Sequence, residues 1–335
     1  MTKNATAPTT KLASLDAMNA LIGDDLQQVN NLILQRVKNE IPLISDIITH
    51  IVASGGKRIR PALTLICSKL CNYSGTRHIP LAAAVEFIHT ATLLHDDVVD
   101  ESKLRRGLPT ANEVFGNKAS VLVGDFLLSQ AFQFMVSDGS IKVLKILSDA
   151  SAVIAKGEVM QLMTEGEPQT TLQDYLDVVS AKTAVLFASA CELGAVVSEK
   201  PELEAKLRSF GMAIGTAFQL IDDALDYVAD EKSLGKAVGD DFREGKVTLP
   251  VIIAYEAASK EEKSFWTRTL SDLNQCNEDL AQAISLMEKH QSITKTIDLA
   301  GEYCEKARQE LMSFPPSLSR TALLDLVDFC ANRAY

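Results

Sequence analysis

The pattern of apolar and polar positions along the chain is that of long helices. From Leu12 onward, apolar residues recur at three- and four-residue intervals almost everywhere, which places them on one face of an α-helix. The clearest stretches begin at Leu15, Lys118, Ile141 and Thr171 and run well beyond the length of ordinary strands. Several are apolar on nearly every face, so we expect other helices to cover them in one large bundle.

Short segments in which glycine stands beside polar residues or proline separate the predicted helices, as expected for helix ends and turns. These segments are residues 54–56, 73–75, 106–109, 137–139 and 165–168. No stretch has the alternating pattern of a half-buried strand, and no Pro/Ser-rich linker divides the chain. We therefore predict an all-α fold, with a disordered tail over residues 1–10 and a single domain over residues 11–335 that contains ten or more helices.

Composition and charge narrow the classes of function. The 335 residues include 33 Lys and Arg against 44 Asp and Glu, a formal net charge of −11, so no overall positive field exists for nucleic acid or an anionic membrane. No apolar run reaches the roughly 20 residues of a membrane span, and the N-terminus lacks the apolar core of an export signal. We predict a cytoplasmic protein that binds no nucleic acid and holds any anionic ligand with a local basic cluster.

The six cysteines include no Cys-x-x-Cys pair, a usage that fits a reducing compartment. Cys67 and Cys71 lie one helical turn apart, as half of a metal site could, but no second Cys or His pair stands near them in the sequence. We interpret them as small buried residues.

The pattern Asp-Asp-x-x-Asp occurs twice, over residues 96–100 and 222–226. On a helix, positions i and i+4 share a face, so each motif can present two carboxylates to one hard cation. Both motifs follow apolar residues, where unpaired carboxylates would be costly to desolvate. Two exposed acidic helix ends are the alternative, but the duplication and the apolar flanks favour metal binding, and oxygen ligands favour Mg²⁺ over zinc.

Basic residues stand near both motifs in the sequence and could bind the phosphate oxygens that often accompany Mg²⁺. They are Lys57, Arg58, Arg60, Arg105, Arg106, Lys182, Lys236 and Lys246. Each alone would more often be a solvated charge. The Gly-Gly-Lys-Arg segment is not a Walker loop, because Arg58 stands where Ser or Thr is required.

Together these motifs make the chain, from about Leu12 onward, resemble the trans-isoprenyl diphosphate synthases, and most closely the long-chain polyprenyl (octaprenyl to decaprenyl) diphosphate synthases. The resemblance rests on GGKRIRP (55–61), EFIHTATLLHDDVVDESKLRRG (86–107), SVLVGDFLL (120–128), AKTA (181–184), GTAFQLIDDALDY (215–227) and GKAVGDDFREGK (235–246). It implies a helical bundle around a central cavity, a homodimer, three Mg²⁺ ions with substrate bound, and peripheral membrane contact for product release. It also implies condensation of farnesyl or geranylgeranyl diphosphate with isopentenyl diphosphate, for the side chain of ubiquinone or menaquinone.

The same resemblance implies a role for each matching residue. The catalytic residues would be Asp96, Asp97, Asp100, Asp222, Asp223, Asp226 and Lys182. The metal ligands among them would be Asp96, Asp100, Asp222 and Asp226. Isopentenyl diphosphate would be bound by Gly56, Lys57, Arg60, His89 and Arg106. The allylic diphosphate would be bound by Arg105, Lys182, Thr183, Gln219, Lys236 and Lys246.

Product length depends on the helix face below Asp96. At about 100° per residue, Thr92, Ala91 and Ile88 fall on that face, and none is aromatic. Ala91 in particular leaves space that a larger side chain would close. Since the helix rises only about 16 Å over eleven residues, another helix must contribute to the floor of the cavity, and Phe132 and Met135 are candidates, with ordinary core packing as the alternative.

Alternative interpretations make different demands on the residues. Glu86 and His89 form a Glu-x-x-His pattern, which could be half of a di-iron site, but no other histidine has a glutamate three residues before it. His89 is then a phosphate-binding or core residue. His95 could support the first cluster or be structural, and Asp125 has no assigned role.

A class I terpene cyclase would need a different second metal motif. A non-catalytic partner subunit would have lost aspartates from these motifs, whereas both motifs are complete here. A purely structural helical protein would not explain the six clustered aspartates.

Overall fold

The chain folds into a helical bundle, as the apolar periodicity predicts. The computed structural model describes residues 10–38, 41–53, 55–105, 107–228 and 238–333. The elements of the first half are α1 (Thr10–Val37), α2 (Pro42–Ala53), α3 (Ile59–Leu70), α4 (His78–Val99), β1 (Leu104–Arg105), β2 (Leu108–Pro109), α5 (Ala111–Phe115), α6 (Asn117–Asp138) and α7 (Ile141–Thr164). Of the predicted tail, only Thr10 is described, and it begins α1.

The second half continues the bundle and includes two π-helical turns. Its elements are α8 (Leu172–Val179), π1 (Ser180–Ala184), α9 (Val185–Val197), α10 (Pro201–Val228), α11 (Asp240–Arg243), α12 (Leu249–Glu256), α13 (Lys260–Trp266), π2 (Thr267–Ser271), α14 (Asp279–Lys289), α15 (Ser292–Met312) and α16 (Leu318–Asn332). The glycine-containing segments predicted to be loops do separate helices. The pairing of β1 with β2 was not predicted, because two residues per strand are too few to show alternation.

Helices α4, α9 and α10 lie at the centre of the bundle, with α9 against α3, α4 and α10, and α4 against α6. Gly194 of α9 permits the contact with α3, since an added Cβ would lie 2.6 Å from Cys67 Cβ and 2.7 Å from the Ser68 backbone nitrogen. Cys67 and Cys71 are buried in this core, as predicted. A second apolar core surrounds the fully buried Trp266, among α10 and α12 to α15.

Candidate active site

Both acidic clusters line one cavity of about 900 Å³. The first cluster lies at the C-terminal end of α4, where Asp100 is the capping residue, and the second lies near the C-terminal end of α10. Lys246, which follows α11, joins that part of the chain to the first cluster. Its ammonium donates to Asp100 Oδ2 at 2.8 Å, across 146 residues of sequence. Burial alone would lower the pKa of Lys246, but the negative charges of Asp100, Asp241 and Glu244 outweigh burial and raise that pKa.

The aspartates of the first cluster have different surroundings. Asp97 is 4% exposed and accepts hydrogen bonds from Arg105 Nη2 at 2.6 Å and Nε at 2.9 Å. Asp96 faces Lys182, with 3.6 Å between its Oδ2 and the ammonium. Burial raises the pKa of Asp96 to about 7, while the charge of Lys182 opposes that shift. A buried carboxylate of this kind gains from a neighbouring cation.

The aspartates of the second cluster also differ in their surroundings. Asp223 accepts hydrogen bonds from the Tyr175 hydroxyl and from Gln219 Nε2, the latter at 2.7 Å, and burial raises its pKa to about 8. Asp226 accepts a hydrogen bond from the Asp241 backbone N–H at 3.1 Å. Asp222 pairs with Arg333 Nη2 at 2.9 Å.

The donor set of this cavity fits Mg²⁺ bound together with phosphate. Within the described residues, no three Asp, Glu, His or Cys side chains converge closely enough to hold an ion between them. Mg²⁺ is usually bound by one or two carboxylates, with water and substrate phosphates completing the octahedron. Single carboxylates such as Asp96 and Asp222 on the walls of a cavity with basic side chains match that arrangement better than an all-protein cage.

One wall of the cavity is basic and lies at the N-terminus of α3. The Arg60 guanidinium stacks over the Phe187 ring at 4.6 Å and donates from Nη1 to His89 Nε2 at 2.9 Å, since arginine can only donate. Burial lowers the pKa of Arg60 to about 10, with Glu86 and Asp222 opposing the shift, so the group is charged at neutral pH.

The Glu-x-x-His pattern has a structural explanation in this wall. Glu86 forms an ion pair with Arg58, and His89 binds Arg60, so both side chains hold the basic segment of residues 57–60 against α4. Gly56 and Lys57 line the cavity in the same region.

The residues predicted to bind the allylic diphosphate come from other elements of the fold. Lys182 and Thr183 belong to π1, a type of turn frequent at functional sites. The Thr183 hydroxyl donates to Gln219 Oε1 at 2.9 Å. Lys182, Thr183, Gln219, Arg105 and Lys246 all line the cavity, whereas the predicted residues Arg106 and Lys236 lie outside the described residues.

The residues predicted to limit product length are placed differently from expectation. Thr92 lines the cavity, but Ala91 and Ile88 are buried without lining it. The other α4 residues that line the cavity before the acidic cluster include Phe87, Thr90, Leu93 and Leu94, and Leu127 of α6 lines it as well. Of the face predicted from Asp96, the cavity lining therefore includes Thr92 only, and the influence of Thr92, Ala91 and Ile88 on product length stays a prediction.

The two candidates on α6 do not form the floor of the described cavity either. Met135 is fully buried and Phe132 is 40% exposed on the outer surface. Their predicted influence on product length stays a prediction.

The cavity residues that the sequence reasoning missed include Glu158, Tyr175, Asp241 and Arg333. Asp241 lies inside the motif that carries Lys246, so that motif was a usable signal. Tyr175 meets Asp223 across 48 residues and Arg333 is far from every motif, so no local pattern indicates either.

A helical bundle whose cavity holds two facing aspartate clusters and flanking basic side chains defines an isoprenyl diphosphate synthase. The family model described as polyprenyl synthetase matches residues 41–287, so the chain belongs to the polyprenyl synthetase family of prenyltransferases.

Known proteins resemble the chain over nearly its whole length. It is 44% identical to octaprenyl diphosphate synthase of Escherichia coli over 321 residues, 96% of this chain and 99% of that protein. The crystal structure of a decaprenyl diphosphate synthase from Rhodobacter capsulatus has a TM-score of 0.91 at 44% identity, covering 96% of this chain and 99% of that one. A polyprenyl synthase from Caulobacter crescentus, crystallised with calcium and isoprenyl diphosphate, has a TM-score of 0.93 at 44% identity, covering 96% of this chain and 98% of that one.

Proposed function

We propose that this prenyltransferase extends farnesyl or geranylgeranyl diphosphate with successive isopentenyl diphosphates to an all-trans octaprenyl to decaprenyl diphosphate for a quinone side chain. The observation that carries the proposal is one cavity lined by both aspartate clusters and by two groups of basic residues from different parts of the chain, residues 57–60 and Lys182 with Lys246. Two basic groups suit two diphosphate substrates, and the long-chain names of the relatives support the product class.

In this proposal the two substrates occupy opposite walls. Lys182, Thr183 and Gln219 would hold the allylic diphosphate, while Lys57, Arg60 and His89 would hold isopentenyl diphosphate. Asp96, Asp100 and Asp222, with Asp226, would hold up to three Mg²⁺ ions. When bound, Mg²⁺ supplies positive charge that stabilises diphosphate as a leaving group.

The protein's own groups would then position the reactants and keep water away. Lys182 stabilises the charge that develops on the departing diphosphate, and the enclosed cavity shields the allylic carbocation from water. The isopentenyl double bond attacks this cation, and the released diphosphate accepts the proton that is lost. The growing chain would extend along Phe87, Thr90 and Leu94.

The test is incubation of the purified protein with Mg²⁺, farnesyl diphosphate and labelled isopentenyl diphosphate, with the dephosphorylated products separated by length. A ladder ending at one dominant long polyprenol is expected. Products of 20 carbons or fewer would contradict the long-chain assignment. Consumption of the allylic substrate without incorporation of label would indicate a cyclase, and no reaction in folded protein would favour a non-catalytic subunit.

We also propose that the enzyme is a homodimer through α6. Although α6 has a mean hydropathy of 1.4, only 39% of its apolar stretch is buried, and Leu122, Phe132 and Val136 are 67%, 40% and 65% exposed. By length and composition α6 and Leu172–Val197 could each cross a membrane, but the latter is 83% buried within the bundle. A second copy of the chain would cover the apolar side chains of α6.

A further inference from the structure

Lys182 is hydrogen-bonded to a glutamate, Glu158, that lies outside all the sequence motifs named above. Its ammonium donates to Glu158 Oε2 of α7 at 2.6 Å, while Asp96 Oδ2 lies 3.6 Å away, beyond hydrogen-bond distance. All three side chains are largely shielded from solvent, with 21% of Lys182, 27% of Glu158 and 14% of Asp96 exposed. One ammonium therefore lies between two carboxylates and bonds closely to only one of them.

The backbone around Glu158 is built for this contact. At the preceding residue, Gly157, an added Cβ would lie 2.8 Å from the Lys182 backbone nitrogen and 2.9 Å from Ala181 Cβ. Glycine is therefore required for α7 to approach π1 so closely. The second carboxylate oxygen of Glu158, Oε1, is buried without a hydrogen-bond partner in the described part of the chain. The hydrogen bond of this carboxylate is therefore the one that its Oε2 accepts from Lys182.

We propose that Glu158 is a positioning residue that holds the Lys182 ammonium away from Asp96, so that Asp96 stays available to a divalent cation and Lys182 to diphosphate. The proposal rests on the proposed function for the roles of Asp96 and Lys182. Without the charge of Glu158, the ammonium would move the short distance to Asp96, because a shielded ammonium gains strongly from its nearest carboxylate. That ion pair would compete with the metal.

The first test is Glu158→Gln, which removes the charge with almost no change of shape. Mn²⁺ binding to substrate-free protein, measured by electron paramagnetic resonance, is expected to weaken by about 10- to 100-fold, the usual range when a side chain behind a metal ligand is lost. In steady-state assays, the Mg²⁺ concentration for half-maximal rate and the KM for farnesyl diphosphate should rise. The KM for isopentenyl diphosphate should not, since Arg60 and His89, which are proposed to bind it, belong to α3 and α4 and not to the contact between α7 and π1.

Glu165→Gln is the matched control. Glu165 is the capping residue just after the C-terminal end of α7, seven residues after Glu158, and also lines the cavity, so its substitution removes one negative charge from the cavity without breaking the Glu158–Lys182 hydrogen bond. It should weaken Mn²⁺ binding clearly less than Glu158→Gln does. Circular dichroism and the melting temperature establish that both variants fold.

The double variant Glu158→Gln, Lys182→Met separates positioning from a direct effect of charge on the metal. If Glu158 acts by restraining Lys182, removing the ammonium must restore Mn²⁺ binding to that of the wild type or better, although activity is lost. Continued weak binding in the double variant, unchanged binding in Glu158→Gln, or an equal loss in Glu165→Gln would each overturn the proposal. Because Mn²⁺ binding needs no turnover, failure of the wild type to transfer prenyl groups would be seen separately.

Discussion

Each acidic cluster contains aspartates in two chemical situations. Asp97 and Asp223 are fully engaged by protein donors, namely Arg105 for the first and Tyr175 with Gln219 for the second. Asp96 and Asp222 instead form ion pairs with Lys182 and Arg333, at 3.6 and 2.9 Å, and an incoming cation can replace these pairs. The middle aspartates therefore shape the site, and the first aspartate of each motif is its metal-binding candidate.

Asp96→Asn and Asp222→Asn are expected to lower kcat by at least about a hundredfold, because an amide oxygen binds Mg²⁺ without compensating its charge. The fold should persist. Since burial raises the pKa of Asp96 to about 7, the carboxylate is ionised at pH 8 at a cost to the stability of the folded state, so a neutral Asn should not lower the melting temperature at that pH. Asp149→Asn, on the outer surface of α7, is the control, and activity in the cavity variants equal to that control would exclude the assignment.

At the scale of single helices, α9 and α3 approach each other closely at Gly194. Gly194→Ala should destabilise the protein by about 1–3 kcal/mol, because the new methyl group meets the Cys67 and Ser68 backbone. Gly301→Ala in α15, where nothing lies within 4 Å of an added Cβ, should instead stabilise by about 0.5–1 kcal/mol. Denaturant unfolding measures the change in the free energy of unfolding for both variants. If the two changes were equal and of the same sign, α9 could move away from α3 to accommodate the new methyl group.

Helix α4 gives a prediction about product length. Ala91 is 2% exposed in a close-packed core, next to the cavity-lining Thr90, so we expect a larger side chain there to displace its α4 neighbours toward the free volume of the cavity. Ala91→Tyr should therefore shorten the dominant product while early condensations continue. Ala91→Ser adds little volume and should keep the wild-type ladder. An unchanged ladder in a folded Ala91→Tyr protein would show that the cavity does not narrow there.

The same helix marks what sequence alone can predict. The helical character of its acidic motif and the presence of a loop after it follow from the sequence, through the i, i+4 spacing of the aspartates and the glycine- and proline-containing segment of residues 106–109. Which buried face opens to the cavity does not follow, since Phe87 and Ala91 are equally apolar in the pattern and only neighbouring helices distinguish them. Contacts such as Lys246 with Asp100 likewise depend on how the helices pack, so sequence located the clusters but not the partner of each carboxylate.

At the scale of the whole molecule, the apolar side chains on the outer surface of α6 need an explanation. Leu122 and Val136 lie fourteen residues apart, about four helical turns, and therefore on nearly one face. Phe132 shares the outer surface, and α7, which packs against α6, adds Val159 and Met163 at 58% and 75% exposed. Exposed apolar side chains that recur on two neighbouring helices are typical of an interface between subunits.

The wild type should therefore have twice the mass of one chain in light scattering at micromolar concentration. Leu122→Asp combined with Val136→Asp should shift the protein to single chains, because two buried carboxylates on each side of a symmetric interface would be desolvated without partners. Leu318→Asp replaces a side chain that is 74% exposed at the start of α16 and should leave the dimer intact. A single-chain mass for the wild type, or a dimer that survives both charges on α6, would place the interface elsewhere. If the double variant does dissociate, its product ladder tests Phe132 as well. A changed product length would indicate that Phe132 influences chain length only when a partner covers it.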